Sequence, residues 1–407
     1  MSNPKAAPLD GIRVLDLSWV MVGPVSGRYL ADLGADVIKV ESSKRIDPVR
    51  TLPPFKDGRS GPERSVSYHN LNAGKRCLTL DIRKPDGREL VLKLAEWADV
   101  AIESFTPGVL DELQLGYREL SARNPGIVMA STAILGQSGP DAKGTSGVGT
   151  MGAAMSGATH QIGWPDRAPS GPFGPWTDGV APRFIVASIL AALHRRTRTG
   201  EGCYIDVAQS EAGVQFMMPA YYEFAANGKI PERRGVAGSP LRVPDSVYRC
   251  AGDDRWVAIS ASDCVQFEAL RKIIGGALRD PRFDTVLGRL RDREAVDAAI
   301  SEWTSNQESD AVESTLQSVG IPAHIVSRAL DHGRDADLHH LGHFKKFTDA
   351  VLGEAEIEGP RCALARTPLP ETRRGPRIGE HTQEVLETDL HLSSEEIARL
   401  TEAGVLV

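Results

Sequence analysis

The N-terminal third alternates β-branched runs with helical ones. Ile12–Leu17 reads as a strand, Ser18–Pro24 as a loop, Ser26–Leu33 as a helix closed by Gly34, and Asp36–Glu41 as a second strand. Two strands joined through a helix run parallel, and a parallel sheet needs helices on both faces. The alternation continues: Cys77–Asp81, Val100–Glu103 and Gly126–Thr132 read as strands, with Pro85–Ala95 and Val109–Leu113 as helices between them. The pattern predicts an α/β fold built on a doubly wound parallel sheet, with ligands past the carboxyl ends of its strands. Two segments lie at such ends, Trp19–Gly23 and Ser104–Gly108, although each also reads as an ordinary turn. A third, Leu71–Lys75, precedes a strand, and Lys75 and Arg76 behind a flexible Ala-Gly have the charge to meet phosphates or to form a solvated basic turn.

The stretch Ser170–Gly202 concentrates the chemistry. A Gly/Pro-broken loop leads through Thr177-Asp178-Gly179 into the apolar run Phe184–Leu193, which ends in His194, Arg195, Arg196 and Arg198 before Gly200. Cations in a last turn and glycine beyond it mark a helix stop. Asp178 at or just before the helix start reads either as an N-cap or as a carboxylate nucleophile beside a sterically open glycine, and spacing leaves both open.

Gly147-Val148-Gly149-Thr150-Met151-Gly152 matches G-x-G-x-x-G. The dinucleotide fingerprint needs a strand directly before it and an acid on a second strand about 20 residues later. Here a loop precedes and a proline-broken stretch follows, so a dinucleotide-dependent oxidoreductase is the weaker rival. A close-packed small-residue helix over Gly147–Gly157 is the better expectation.

Further on, Tyr204–Ala208 reads as a strand. Ser210–Asn227 reads as a helix carrying Phe216, Met217, Met218, Tyr221, Tyr222 and Phe224, a face suited to core or subunit contact. Ser246–Arg249 and Trp256–Ser260 flank a hairpin turn, and Cys264–Leu316 is largely helical. The expected division is a large domain over 1–208, a linker helix and loop over 209–242, a small α+β domain over 243–330, and a return to the large domain over 331–407.

A net charge of −7 gives no reason to expect nucleic acid as partner. Five cysteines without metal-ligand spacing read as free thiols in a reducing compartment, and no metal site is expected. No apolar run reaches the roughly 18 to 20 residues of a membrane span, and the N-terminus lacks a signal-peptide pattern. The expectation is a soluble, cytoplasmic protein with no membrane partner.

Many ordered stretches carry a resemblance to one family. LADLGADVIKVE (30–41), NAGKRCLTLDIRKPDGRELVLKLAEWADV (72–100), ESFTPGVLDELQLGY (103–117), GQSGP (136–140), ALHRRTRTGEGCYIDV (192–207), GIPAHIV (320–326) and RIGEHTQEVLE (377–387) all resemble landmarks of the class III coenzyme A transferases. The resemblance implies a Rossmann-like large domain built from both chain ends, a small domain between them, and a homodimer of interlocked rings. It assigns Asp178 as the nucleophile that attacks an acyl-CoA thioester. It also implies coenzyme A contacts at Trp19, Val20, Met21, Val22, Gly23, Leu71, Asn72, Ala73, Gly74, Lys75, Ser104, Phe105 and Thr106. Coenzyme A or acyl-CoA then enters as substrate, with a carboxylic acid as acceptor and no permanently bound cofactor. Succinyl-CoA, a common donor in the family, is the donor to expect.

Two departures bear on specificity. Where the family often has an arginine after the acid of the second strand, this chain has Ser42 and Ser43, leaving Lys44 or Arg45 as substitutes. Trp19 and Met21 stand where formyl-CoA transferase has His and Gln, which favours a bulkier, less polar acyl group. The racemase branch pairs its Asp with a His in the small-residue region. Gly147–Gly157 has none, which favours transfer over racemisation.

Overall fold

Six parallel strands, β1 (Arg13–Asp16), β2 (Asp36–Glu41), β3 (Arg76–Thr79), β4 (Val100–Glu103), β5 (Val128–Ala133) and β6 (Cys203–Ala208), form one sheet in the order β3-β2-β1-β4-β5-β6. This is the Rossmann order, in which the winding reverses between β1 and β4. The coordinates are a computed structural model, and they describe residues 6–407. The helices between and after these strands are α1 (Val22–Asp32), α2 (Val66–Leu71), α3 (Pro85–Trp97), α4 (Val109–Glu112), α5 (Tyr117–Arg123), α6 (Gly149–Met155), α7 (Ala158–Gln161), α8 (Trp176–Thr199) and α9 (Gln209–Asn227).

Side-chain alternation along each strand divides the core in two. Leu15, Ile38, Leu78, Ala101 and Met129 face a cluster with Leu90, Val91 and Leu94 of α3 and Leu120 of α5. Val14, Val37, Val100, Ile102 and Val128 face the other way, onto Leu30 of α1 and Val180, Ile185, Ile189 and Leu193 of α8. Both faces are covered, as a parallel sheet requires.

The chain divides into two compact units. The first comprises the residues up to Thr159, Gly171–Ile230 and Asp337–Val407; the second is His160–Ser170 with Pro231–Ala336. The second unit holds the antiparallel sheet β7 (Asp245–Arg249), β8 (Trp256–Ser260) and β9 (Ala323–Ile325), with α10 (Cys264–Ile274), α11 (Val286–Arg291), α12 (Arg293–Thr304) and α13 (Ser309–Gln317). Its core is its own: Val257, Ile259, Phe267, Leu270, Val296, Ile300, Val312 and Leu316.

The expected small domain over 243–330 therefore lies wholly inside this unit, but the unit also takes in 160–170. Gly235 donates its N–H to the Gly163 carbonyl at 3.0 Å, and Arg233 Nη1 donates to the His160 carbonyl at 3.0 Å. A short segment without periodicity carries no mark of where it packs. Helix α9, expected as a linker, belongs to the first unit.

After the hairpin β10 (Phe344–Asp349) and β11 (Gly353–Glu358), the C-terminal stretch returns to the sheet's β3 edge. Asp81 N–H donates to the Val405 carbonyl at 2.8 Å and Cys77 N–H to His381 Nδ1 at 3.2 Å, while Val385, Leu386 and Leu400 join the α3-side core. Among the described residues one helix, α8, is long and apolar enough to cross a membrane by length and composition. Its buried face packs on the sheet, as a core helix does.

Candidate active site

Asp178 lies in the first turn of α8, 4% exposed. It does not cap that helix: the N-cap position is Pro175, and no side chain closes it. The carboxylate instead reaches a different helix, where Oδ2 accepts the Gly149 N–H at 3.0 Å. The side chain of Gln209, at the start of α9, is its other hydrogen-bond partner. Burial pushes the Asp178 carboxyl up to about 6, and the bonds from Gly149 and Gln209 offset only part of that. Thr177 Oγ1 ties the same three helices together, 3.2 Å from the Gly149 carbonyl and 3.1 Å from Gln209 Oε1.

The glycine motif that suggests a dinucleotide has a different physical use. A Cβ on Gly149 would sit 2.6 Å from the Pro175 carbonyl oxygen and 2.7 Å from Asp178 Oδ2; one on Gly152 would sit 2.2 Å from Thr177 Oγ1. Only glycine lets the start of α6 approach the start of α8 this closely. The expected small-residue helix is there, shortened to Gly149–Met155, and the neighbour its backbone approaches is the aspartate. Gly179 is the opposite case: an added Cβ would meet nothing within 4 Å. The space beside Asp178 is open on that side.

The second group of candidate residues gathers at the switch point of the sheet, past the ends of β1 and β4. Trp19 N–H bonds Ser104 Oγ at 3.1 Å, and Ser104 Oγ donates back to the Trp19 carbonyl at 3.0 Å. The rings of Trp19 and Phe105 lie 5.6 Å apart, and the Arg45 guanidinium stands 5.2 Å from the Trp19 ring centre. A cavity of about 350 Å³ opens here, with Leu17, Val40, Leu80 and Ile82 on its walls; Arg45 and Arg83 stand around it with Trp19, Phe105 and Thr106, and Glu41, Asp81 and Glu112 also line it. An apolar floor with aromatic and cationic groups suits a flat base carrying phosphates. Beyond Thr106 a second cavity of about 510 Å³ carries Glu103, Asp111 and Asp206 with a single arginine, Arg118.

The structure separates the remaining candidates from this edge. Val22 and Gly23 are buried in the first turn of α1, so the loop ends at Met21. Asn72 and Ala73 are buried, while Leu71 and Gly74 do not line the cavity. Lys75 corrects the expectation of a phosphate contact. Its Nζ is buried against Asp16 Oδ2 at 2.6 Å, the Pro24 carbonyl at 2.8 Å and Asn72 Oδ1 at 2.9 Å. That ammonium has no donor left for a ligand. Arg76 is likewise engaged, with Asp36 and Asp389. Of the proposed substitutes for the missing arginine, Arg45 reaches the cavity and Lys44 does not line it. Sequence reasoning missed Gln209 and Arg83. Gln209 sits in no motif, and Arg83 lies inside the family-like stretch 72–100 without a mark of its own; only the fold brings them to their sites.

Fold and site define an α/β protein of Rossmann strand order with a buried candidate carboxylate nucleophile. The chain belongs to CoA-transferase family III, whose sequence profile it matches over residues 9–382. It is 33% identical over 402 residues to the succinyl-CoA–D-citramalate CoA-transferase of Chloroflexus aurantiacus, covering 98% of both chains. It is 28% identical over 402 residues to the succinyl-CoA:glutarate CoA-transferase of Mus musculus, covering 98% of this chain and 90% of that one. Among solved structures, a CAIB/BAIF family protein from Brucella suis superposes with a TM-score of 0.85 at 31% identity, over 95% of this chain and 100% of that one.

Proposed function

We propose that this family III CoA-transferase moves coenzyme A from succinyl-CoA to a small carboxylic acid, with Asp178 as covalent relay. One observation carries the reading. A buried carboxylate without a cationic partner accepts the Gly149 N–H through one oxygen, and the next residue in the chain, Gly179, leaves open space where a side chain would stand.

In the first step a carboxylate oxygen of Asp178 attacks the thioester carbonyl, forming a mixed anhydride and releasing the CoA thiolate. The thiolate then attacks the aspartyl carbonyl, giving an aspartyl-CoA thioester and free succinate. The acceptor carboxylate attacks that thioester, forming a new anhydride and again releasing thiolate. Attack of the thiolate on the acceptor's acyl carbon yields the product thioester and regenerates Asp178. Each step exchanges one acyl bond for another and needs no net proton transfer. The relay divides one slow exchange into easier ones. The Gly149 N–H is placed to stabilise negative charge on the oxygen it holds.

The names of the relatives support succinyl-CoA as donor. The apolar walls around Trp19 and Phe105, with Arg45 and Arg83, support binding of the nucleotide end of CoA at the switch point. Exposed Phe216, Tyr221, Tyr222 and Phe224 on α9 support a homodimer, in the interlocked form expected from the family.

The test is chemical trapping. The protein is incubated with succinyl-CoA, quenched with hydroxylamine or with borohydride, digested and mapped by mass spectrometry. The expected result is hydroxamate or reduced aspartate at Asp178. Label at another residue, or none during turnover, sinks the relay. A screen of acceptor acids against succinyl-CoA names the second substrate.

A further inference from the structure

The turn that joins β1 to α1 holds a residue in a conformation it does not favour. Val20 has φ +67°, a left-handed setting that is a genuine outlier for a β-branched side chain. The geometry of the turn accounts for it. A Cβ on Gly23 would lie 2.2 Å from Ser18 Cβ, so α1 starts hard against the strand end and three residues must reverse the chain.

Every backbone polar group through this turn from Ser18 to the Val20 N–H has a fixed partner. The Ser18 N–H donates to Asp16 Oδ1 at 2.9 Å, and the Ser18 carbonyl accepts from Lys39 Nζ at 2.7 Å. Trp19 is bonded at both its N–H and its carbonyl by Ser104 Oγ. The Val20 N–H donates to Asp47 Oδ1 at 3.1 Å. Asp47 and Lys39 are both fully buried and paired at 3.0 Å. One ion pair therefore grips the turn at two points, the Ser18 carbonyl and the Val20 amide.

We infer that Asp47 is a positioning residue for acyl-CoA: with Lys39 it locks the Trp19–Met21 turn in the strained form that sets the Trp19 ring at the switch-point cavity. This rests on the proposed CoA site at that edge. Asp47 lines no part of the cavity, and its effect passes through Val20. Preorganising a binding turn lowers the cost of ordering it on binding.

The strained residue supplies the test. In Asp47→Ala the left-handed turn loses its lock, and the affinity for free CoA, measured by calorimetry, falls about tenfold. Adding Val20→Gly to that variant removes the penalty of positive φ, and affinity returns to within about threefold of wild type. Asp47→Asn keeps an oxygen for the Val20 N–H and loses about threefold or less. Thermal unfolding is followed alongside. If Asp47→Ala does not fold, the comparison is made between Asp47→Asn and Asp47→Asn with Val20→Gly, where the glycine again restores binding. A merely structural Asp47 lowers stability without this rescue. Unchanged CoA affinity in Asp47→Ala, or a further loss on adding Val20→Gly, overturns the inference. Wild-type protein that fails to bind CoA, or a Trp19→Ala variant that binds it as tightly as wild type, overturns the CoA site itself.

Discussion

Two buried aspartates in the same unit show how a scaffold and a candidate reaction centre differ. Asp16, at the end of β1, is fully buried, with Lys75 Nζ at 2.6 Å and the Ser18 N–H at 2.9 Å. Burial pushes its carboxyl up, but Lys75 and Lys39, with the hydrogen bonds from Lys75 and Ser18, hold it below the ordinary range. Asp178 is nearly as buried, and only the neutral groups of Gly149 and Gln209 answer the desolvation, so its carboxyl stands at about 6. Burial alone does not distinguish the two; the cation does. A paired buried charge is costly to break and of little chemical use. An unpaired one is poorly solvated and poised to react.

The sharpest way to break this comparison is Asp178→Asn. Transfer is expected to fall at least about 10³-fold, read as initial rate with succinyl-CoA. Stability should move the other way. The unfolded carboxyl titrates near 3.8 and the folded one near 6, so between these values the native state holds the extra proton. Wild-type stability therefore falls as pH rises through that window, and the full penalty stands above about pH 6. Asp178→Asn removes the penalty, so it gains about 1–3 kcal/mol over wild type at pH 8 and little at pH 4, by chemical denaturation. The same titration makes wild-type kcat/KM fall about tenfold per unit below pH 6. A variant destabilised at pH 8 would place Asp178 with Asp16, among the structural groups.

Lys75→Met probes the other member. It strands Asp16 in the core with only Lys39 near, and the expected cost is about 3–5 kcal/mol of unfolding free energy. If Lys75 instead served phosphate, stability would hold while KM for the thioester rose and became less sensitive to salt.

What the sequence made legible follows from what each feature needs. The parallel sheet was readable because β1 to β5 are buried on both faces and β-branched runs alternate with helical ones, signals that survive without knowledge of partners. Asp178 stood out as a candidate through resemblance alone, since its spacing fitted a cap as well as a nucleophile. The role of Gly149 was visible as a motif but not as a contact, since a G-x-G-x-x-G run records that backbone comes close and not what it comes close to. Lys75 misled for the related reason that a basic residue after Ala-Gly looks solvated until the fold delivers Asp16. Segment 160–170 and Gln209 left no local mark, and Arg83 was indistinct within the family-like stretch 72–100, because their places depend on elements distant in the chain.

Two glycines beside Asp178 refine the contrast between a group that holds the carboxylate and one that leaves it room. Gly149→Ala forces a methyl to within 2.7 Å of Asp178 Oδ2 and 2.6 Å of the Pro175 carbonyl oxygen. The start of α6 must move and its N–H bond to the carboxylate is lost, so activity should fall about 10- to 100-fold with a drop in Tm. Gly179→Ala meets no protein atom within 4 Å and replaces a glycine within the first turns of a helix, so Tm should hold or rise. If the open space beside Asp178 is where the thioester comes to rest, the added methyl intrudes on substrate alone. The expected result is a loss of about tenfold in kcat/KM at unchanged or higher Tm. Full activity in Gly179→Ala would mean that the acyl group approaches from another side, and would move the proposed attack to a different face of the carboxylate.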